Sequence, residues 1–102
     1  MISSLRGLVQ HIANDHLIIE VGGVGLKVLV PNTVFEQVEG VGRMIFLHTM
    51  LIVREDSLTL YGFGSEEQRA LFETLLGVNG VGPKLALSVL SYISPVLLRK
   101  AV

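Results

Sequence analysis

The sequence LLGVNGVGPKLALSVL, at residues 75–90, contains two apolar segments with helical spacing on either side of a glycine-containing break. Gly80 and Gly82 lie in that break, and glycine tolerates the positive φ angles of tight turns. Pro83 has a fixed φ and no N–H group, which suits the first position of a helix. The pattern therefore predicts a helix, a tight glycine hairpin and a second helix.

The start of the second predicted helix is a candidate phosphate site. Its first N–H groups have no partner within the helix and point back at the hairpin, where they can bind an anion. Lys84 adds a point charge with three donors, and the apolar Val81 can pack between the helices and leave the glycine amides outward. We therefore predict that Gly80, Val81, Gly82 and Lys84 bind phosphate. Alone, a Gly-x-Gly-Pro motif is a weak signal, because it also simply turns a chain between packed helices.

Length and composition limit the class of protein. A chain of 102 residues, half of them hydrophobic, supports one domain or a small domain with part of a second. No apolar run reaches the ~18 residues of a membrane span, and no secretory signal is apparent at the N-terminus. The absence of cysteine excludes disulfides and thiolate metal sites. A cytoplasmic location, without contact to a membrane, is the default expectation.

Charge and histidine spacing give weaker indications. The net charge of −1 argues mildly against a nucleic-acid binder. If the chain binds DNA, its acidic and basic groups must be segregated onto different regions or faces. His11, His16 and His48 do not share a helix at metal-ligand spacing, so we expect structural roles for them, with no metal and no cofactor.

The first part of the chain has the period of two that is typical of β-strands. Strands are predicted over residues 2–12, 17–21, 24–30, 44–53 and 58–61, with a bend at Gly7 and a short helical turn over residues 33–38. Residues 39–43 read as an ordinary turn, since no helix follows them. Both faces of residues 17–29 are partly apolar, which favours a closed barrel or contact with another subunit. Five strands with a small helix between the third and fourth predict an OB-type barrel over residues 1–63.

The second part, residues 64–102, has helical signals. Ser65 and Gln68 form a capping box, and an apolar stripe of Leu71, Phe72, Leu75, Leu76 and Val78 is expected to pack on the next helix, which contributes Leu85, Ala86, Val89 and Leu90. Gly62-Phe63-Gly64 is interpreted as the link between barrel and helices, with Tyr61 and Phe63 packing between them. Ser94-Pro95 predicts a third helix. Its apolar residues need a partner surface, so we expect the chain to be a fragment.

Several of these segments together resemble the RuvA family, the Holliday-junction-binding subunits of the bacterial branch-migration complex. The segments are Gly80-Val81-Gly82-Pro83-Lys84-Leu85-Ala86, Val53-Arg54-Glu55-Asp56, Leu60-Tyr61-Gly62-Phe63, Leu5-Arg6-Gly7 and Glu20-Val21-Gly22-Gly23-Val24-Gly25. They occur in order along essentially the whole chain. The combination is specific, although each segment alone is not.

The resemblance implies an OB-fold barrel followed by a helical domain with two helix-hairpin-helix units, of which only the first would be present here. It implies a homotetramer, single or paired, that holds a four-way DNA junction open for recombination and repair. The hexameric motor ATPase RuvB would be a partner, although its docking domain would be absent from this chain. A resolvase is a further candidate partner.

The resemblance also gives a role to an acidic pair. Read alone, Glu55 and Asp56 in a turn between strands are an ordinary solvated feature. By resemblance they form an acidic pin, one pair from each of four subunits, which keeps strands apart at the crossover without cleaving them. Arg54 adjoins the pin and is a candidate for contact with a central phosphate.

Two other function classes remain open from the sequence. Helix-hairpin-helix units also occur in DNA repair enzymes, but no nucleophile or metal cluster accompanies Glu55 and Asp56, so we expect a non-catalytic subunit. A purely oligomeric OB-fold module would use its apolar strand faces for self-association. That module would show no salt-dependent DNA binding.

Overall fold

A computed structural model of the chain describes residues 2–93, in which five strands precede two longer helices. The third helix predicted from Ser94-Pro95 lies outside the described residues. No helix in the described part is long and apolar enough to cross a membrane. The elements are β1 (Ser4–Ile12), β2 (His16–Val21), β3 (Val24–Leu29), α1 (Asn32–Phe35), β4 (Met44–Arg54), β5 (Ser57–Phe63), α2 (Glu66–Leu76) and α3 (Pro83–Leu90).

The five strands close into a barrel in the order β1-β2-β3-β5-β4. Four of the pairings are antiparallel, and β3 pairs with β5 in parallel through Val28 with Leu60 and Leu29 with Tyr61. With the short helix α1 between β3 and β4, this is the OB-fold-like barrel that the sequence predicts.

The barrel interior is filled by alternate residues of the strands. Leu17, Ile19, Val28 and Leu47 are fully buried there together with Val34 of α1. Since successive side chains of a strand point to opposite faces, the apolar residues between them face outward. Leu29 is one of these and packs against a second cluster under the helices. The helices that cover this side of the barrel therefore explain the outward apolar residue Leu29, whereas Ile18 belongs to neither apolar cluster.

Two buried glycines permit close contacts between strands. A Cβ atom on Gly7 would lie 2.3 Å from the carbonyl oxygen of Glu20, and one on Gly62 would lie 2.6 Å from a methyl of Val28. Gly62 and Phe63 belong to β5, where they pair with Thr49 and His48, so the sequence interpretation of these two residues as a link was wrong. A glycine inside a strand resembles a linker in sequence, but here it makes room for a neighbouring side chain.

The second apolar cluster joins the barrel to the helices. It consists of the buried residues Tyr61 and Phe63 of β5, Phe72 of α2, and Ala86 and Leu90 of α3. The predicted packing of Tyr61 and Phe63 between barrel and helices is therefore confirmed. Small Ala86 is fully buried, which allows α3 to approach closely.

At the helix boundaries, the predicted cap of α2 is confirmed, but the predicted packing of two apolar residues is wrong. Ser65 is the N-cap of α2, and its hydroxyl accepts from the Gln68 N–H at 3.2 Å, as the capping box predicts. Gln68 reaches back to the N–H of Gly64 at 3.1 Å, one residue earlier than in the usual box. Val78 and Leu85, expected to be packed, are about half exposed. Helix α2 ends at Leu76, so Val78 no longer lies on its stripe.

Candidate nucleic-acid interface

The predicted phosphate site forms a loop that the structure leaves open to solvent. Residues 77–82 connect α2 to α3, and Gly80 adopts φ +86°, a left-handed conformation that favours glycine. A Cβ atom on either Gly80 or Gly82 would meet nothing within 4 Å. Val81 is half-buried and packs against the cluster of Phe72 and Leu90. The loop is therefore anchored by its valine while both glycines remain uncovered.

Several backbone donors in and just after this loop are unused. Within residues 2–93, the N–H groups of Gly80, Gly82 and Lys84 donate to no protein acceptor. The Val81 N–H, by contrast, donates to the Val78 carbonyl at 3.1 Å. The Val81 amide is therefore not a free donor, because the turn uses it internally, and a part for Val81 in phosphate binding stays a prediction. Three free donors at the start of an eight-residue helix can bind an anion.

Lys84 lies in the first turn of α3, beside these donors. Its side chain lines a cleft of about 490 Å³ between α3 and the end of the barrel, which Asp15, Tyr61 and Tyr92 also line. No ion pair within 4 Å involves Lys84 in the described part of the chain. Its charge is therefore available to a ligand. The presence of Asp15 in the same cleft shows that charges of both signs occur here, and the predicted segregation stays a prediction.

The acidic pair lies at the tip of the β4–β5 hairpin. Arg54 pairs with Ser57, which leaves Glu55 and Asp56 as a two-residue turn. Both carboxylates are exposed, and neither forms an ion pair within the described residues. This hairpin therefore presents two adjacent negative charges that no ion pair in the described part of the chain neutralises.

Exposed apolar residues flank the acidic tip. Val53 and Leu58 face each other across the hairpin and are 66% and 71% exposed. Arg54 is also exposed, and its positive charge acts on the Tyr61 hydroxyl, whose pKa is raised by burial in spite of it. Arg54 therefore belongs to the tip of this hairpin.

The candidate residues form two separate groups. Gly80, Gly82 and Lys84 lie together at the α2–α3 loop, and the acidic pair lies on the β4–β5 hairpin. No hydrogen bond or ion pair within residues 2–93 links the two groups. In the same range, no group of three or more His, Cys, Asp or Glu side chains is placed to hold a metal ion.

Two contacts between barrel and helices have no signal in the sequence. The buried Gln68 side chain donates to the Thr33 hydroxyl at 2.9 Å, and the Asn32 N–H donates to the Ser91 hydroxyl at 3.1 Å. The partners are 35 and 59 residues apart. Local patterns indicate the cap that Gln68 forms, but only the tertiary fold brings Thr33 to it.

Ionised groups also support the start of α2. Glu66, in the first turn, forms an ion pair with Arg69 and lies 3.3 Å from His48 of β4. The hydrogen bond from Arg69 lowers the pKa of the Glu66 carboxyl below its ordinary value. At the β1–β2 turn, the hydrogen bond with His16 lowers the pKa of Asp15 in the same way. Both shifts arise chiefly from side-chain hydrogen bonds to exposed carboxylates.

Comparison with known proteins gives a consistent family. The RuvA N terminal domain family matches residues 1–62. The chain is 58% identical over 95 residues to the Holliday junction branch migration complex subunit RuvA of Chloroflexus aggregans, with 93% of this chain and 49% of the relative covered. It is 51% identical over 102 residues to the subunit of the same name from Mycolicibacterium smegmatis, with 99% and 51% covered.

A third relative, from Chloroflexus aurantiacus, carries the same name and is 54% identical over 102 residues, with 100% of this chain and 52% of the relative covered. The chain therefore spans about half the length of the curated relatives that it matches. The family match extends over more than half of the chain and coincides with the barrel. This chain belongs to the RuvA N-terminal domain family.

Proposed function

We propose that this chain is the part of a Holliday-junction-binding subunit that grips DNA backbone at the α2–α3 loop and presents an acidic tip at the strand crossover. The observation that carries the proposal is the set of three free N–H groups, at Gly80, Gly82 and Lys84, on exposed residues around the start of α3. The names of the relatives, all subunits of a Holliday junction branch migration complex, support it.

The chemistry of the loop suits a ligand of arbitrary sequence. Main-chain N–H groups and a lysine bind phosphate oxygens and do not read base edges, so they position DNA without selecting its sequence. Four-way junctions arise wherever two homologous duplexes exchange strands. A site that reads only backbone is therefore the kind that junction binding requires.

The acidic tip has the opposite role. Glu55 and Asp56 repel phosphate, so they do not add affinity for a duplex. We propose that one such pair from each of four subunits occupies the open centre of the junction and keeps the exchanging strands apart. Arg54, next to the pair, is the candidate for a balancing contact with a central phosphate.

Self-association supplies the four-fold arrangement in this proposal. Leu8 of β1 pairs with Met44 of β4, and Phe46 lies on the same strand two residues further. All three side chains are exposed, Met44 to 58%, and apolar residues clustered on a surface are typical of protein contacts. We propose that the full-length protein forms homotetramers, single or paired, and recruits the RuvB motor through its other half, with a resolvase as a further partner. The subunit itself is non-catalytic and acts in the bacterial cytoplasm.

The test compares the full-length protein on a four-way junction and a linear duplex at two salt concentrations. Lys84→Ala should weaken binding to both and reduce the log–log salt slope by about 0.9 for each phosphate that the variant no longer neutralises. Lys27→Ala, which removes the same charge from an exposed position on β3, is the matched control and should change the slope less. Equal behaviour of the two variants would contradict the phosphate assignment.

A second pair of variants tests the acidic tip. Glu55→Gln with Asp56→Asn should raise duplex affinity and reduce the preference for the junction, because repulsion at the centre is removed. Glu36→Gln with Glu73→Gln removes the same two charges elsewhere on the surface and serves as the control. If the variant with Glu55→Gln and Asp56→Asn kept the same preference for the junction over the duplex, the acidic pair would be no more than an ordinary solvated turn.

A further inference from the structure

The short helix α1 is fixed to the barrel and receives a polar contact from each of the two longer helices. Its Val34 is fully buried in the barrel core. Thr33 accepts a hydrogen bond from Gln68 of α2 at 2.9 Å. The neighbouring Asn32 N–H donates to the hydroxyl of Ser91, the C-cap of α3, at 3.1 Å. Two consecutive residues of the barrel therefore contact both helices that hold the phosphate loop.

Two side chains of the longer helices, Gln68 and Ser91, make these contacts, and Gln68 is the more constrained of the two. It is fully buried, its Nε2 donates to Thr33, and its Oε1 accepts from the Gly64 N–H at 3.1 Å. Gly64 is the residue at which the chain leaves the barrel. The Gln68 amide therefore joins the barrel, the exit of the chain from it and the first turn of α2 in one buried group.

The hydrogen bonds of Gln68 are directional, whereas the packing within the apolar cluster is not. Burial of Phe63 against Phe72 stabilises the docking of α2, but the hydrophobic effect is non-directional and tolerates small rotations of the helix. A buried amide that loses its partners costs free energy, because water cannot replace them. A rotation of α2 that carried Gln68 away from α1 would break the bond to Thr33 and leave a buried amide without this partner.

We propose that Gln68 is a positioning residue that sets the orientation of the α2–α3 loop relative to the β4–β5 hairpin. Its functional consequence rests on the proposed function: a duplex needs only the phosphate loop, whereas a junction needs the loop and the acidic tip in a fixed relation. Loss of the Gln68 contacts therefore reduces affinity for the junction more than affinity for the duplex.

Four substitutions in the full-length protein separate positioning from simple stability. Gln68→Met keeps the size of the side chain but removes both bonds, and Thr33→Val removes one. Gln68→Glu is the conservative variant, because a carboxyl group that stays protonated in this buried position accepts from Gly64 and donates to the Thr33 hydroxyl. Thr33→Ser keeps the hydroxyl and is the matched control for Thr33→Val.

The direct measurement is a distance distribution between spin labels at Cys residues introduced for Ser57 and Asn79. Residues 1–102 contain no cysteine, and cysteines elsewhere in the full-length chain are replaced by serine. Doubly labelled chains are diluted into unlabelled chains so that only distances within one subunit are read. We expect a narrow distribution in the parent, Gln68→Glu and Thr33→Ser proteins, and a broader or shifted one in Gln68→Met and Thr33→Val.

The binding measurement is the ratio of junction to duplex affinity for the same proteins. Gln68→Met and Thr33→Val should lower this ratio by roughly two- to thirtyfold, the range of coupling changes for residues outside a binding site.

If Gln68→Met does not fold, Thr33→Val alone provides the test of the proposal. A narrow, unshifted distribution in the folded variants would show that apolar packing alone sets the orientation and would overturn the proposal. A parent protein without junction preference would instead contradict the proposed function, while the distance test still decides the role of Gln68.

Discussion

The ring of Tyr61 on β5 lies 5.0 Å from the ring of Phe72 on α2, with the two planes inclined at 37°. Phe63, two residues further along β5, places its ring 4.8 Å from the same Phe72 ring. Centroid separations in this range are typical of favourable aromatic pairs. Phe72 thus packs against two rings of the barrel at once, and it is the main apolar attachment of the helices.

Phe72→Ala is predicted to destabilise the protein by about 3–5 kcal/mol, because Phe72 is fully buried and its removal leaves a cavity between barrel and helices. The free energy of unfolding from denaturant titration measures this change. Leu58→Ala, at a position 71% exposed, is the control and should stay within about 0.5 kcal/mol of the parent protein. If Phe72→Ala lost as little unfolding free energy as Leu58→Ala, the attachment of the helices would not depend on this contact.

The sequence predicts the barrel well because its signals are local. Alternation in β2 and β3, the two-glycine turn between them and the capping box at Ser65 are each readable within a few residues. The bounds of β5 were predicted too short, because Gly62 looks like a loop residue. Methyl groups of Val28 and Leu47 approach so closely that a Cβ atom would not fit, which explains a glycine in this strand.

The position of the α2–α3 loop was predicted from the sequence, but the hydrogen bonds around it were not. The glycine spacing places the loop, and the structure shows that Gly80 and Gly82 are uncovered. The hydrogen bond from the Val81 amide to Val78, and the buried contact of Gln68 with Thr33, depend on backbone geometry and on a partner distant in sequence. No periodic pattern contains that information.

Gly80→Ala is predicted to destabilise the protein by about 1–2 kcal/mol, the cost of a left-handed conformation for a residue with a Cβ atom. The φ of Gly80 is +86°, and no neighbouring atom would contact the new methyl group, so the cost arises from the backbone alone. Gly80→Asn should lose less, because asparagine tolerates this region better. Thermal and denaturant unfolding of both variants provide the measurement. An alanine variant as stable as the asparagine variant would contradict the left-handed assignment.

Gly82→Ser is predicted to change stability and DNA affinity in opposite directions. Gly82 is the N-cap of α3 with an extended backbone and no side-chain hydrogen bond. A serine there can accept from the N–H of Lys84 or Leu85 and stabilise the helix by a few tenths of a kcal/mol. The same hydroxyl then occupies a donor that a phosphate would use, so affinity for DNA should fall.

Gly82→Ala is the control for this variant, because it adds a methyl group without an acceptor. It should be less stable than the serine variant, since alanine is a poor N-cap, and should bind DNA better than the serine variant does. Unfolding and gel-shift measurements on both proteins give the comparison. If the serine variant gained both stability and DNA affinity, the free amides of α3 would not be the phosphate ligands.

The ion pair at the start of α2 predicts a pH dependence of stability. The hydrogen bond from Arg69 lowers the folded-state pKa of Glu66 below its ordinary value of 4.5. The unfolded chain therefore binds more protons in the interval below 4.5, and stability rises with pH there. The stabilising contribution is complete above this interval and is lost as the pH falls through the folded pKa.

Glu66→Gln should therefore flatten the decline of unfolding free energy as the pH falls below 4.5, relative to the parent protein. It should also be less stable than the parent at pH 7, because it lacks the negative charge that favours a helix start and pairs with Arg69. Glu36→Gln, outside this ion pair, controls for the loss of one surface charge. If the decline were equally steep in Glu66→Gln and in the parent, the acid sensitivity would belong to other carboxylates, and the contact of Glu66 with Arg69 would contribute nothing measurable to folding.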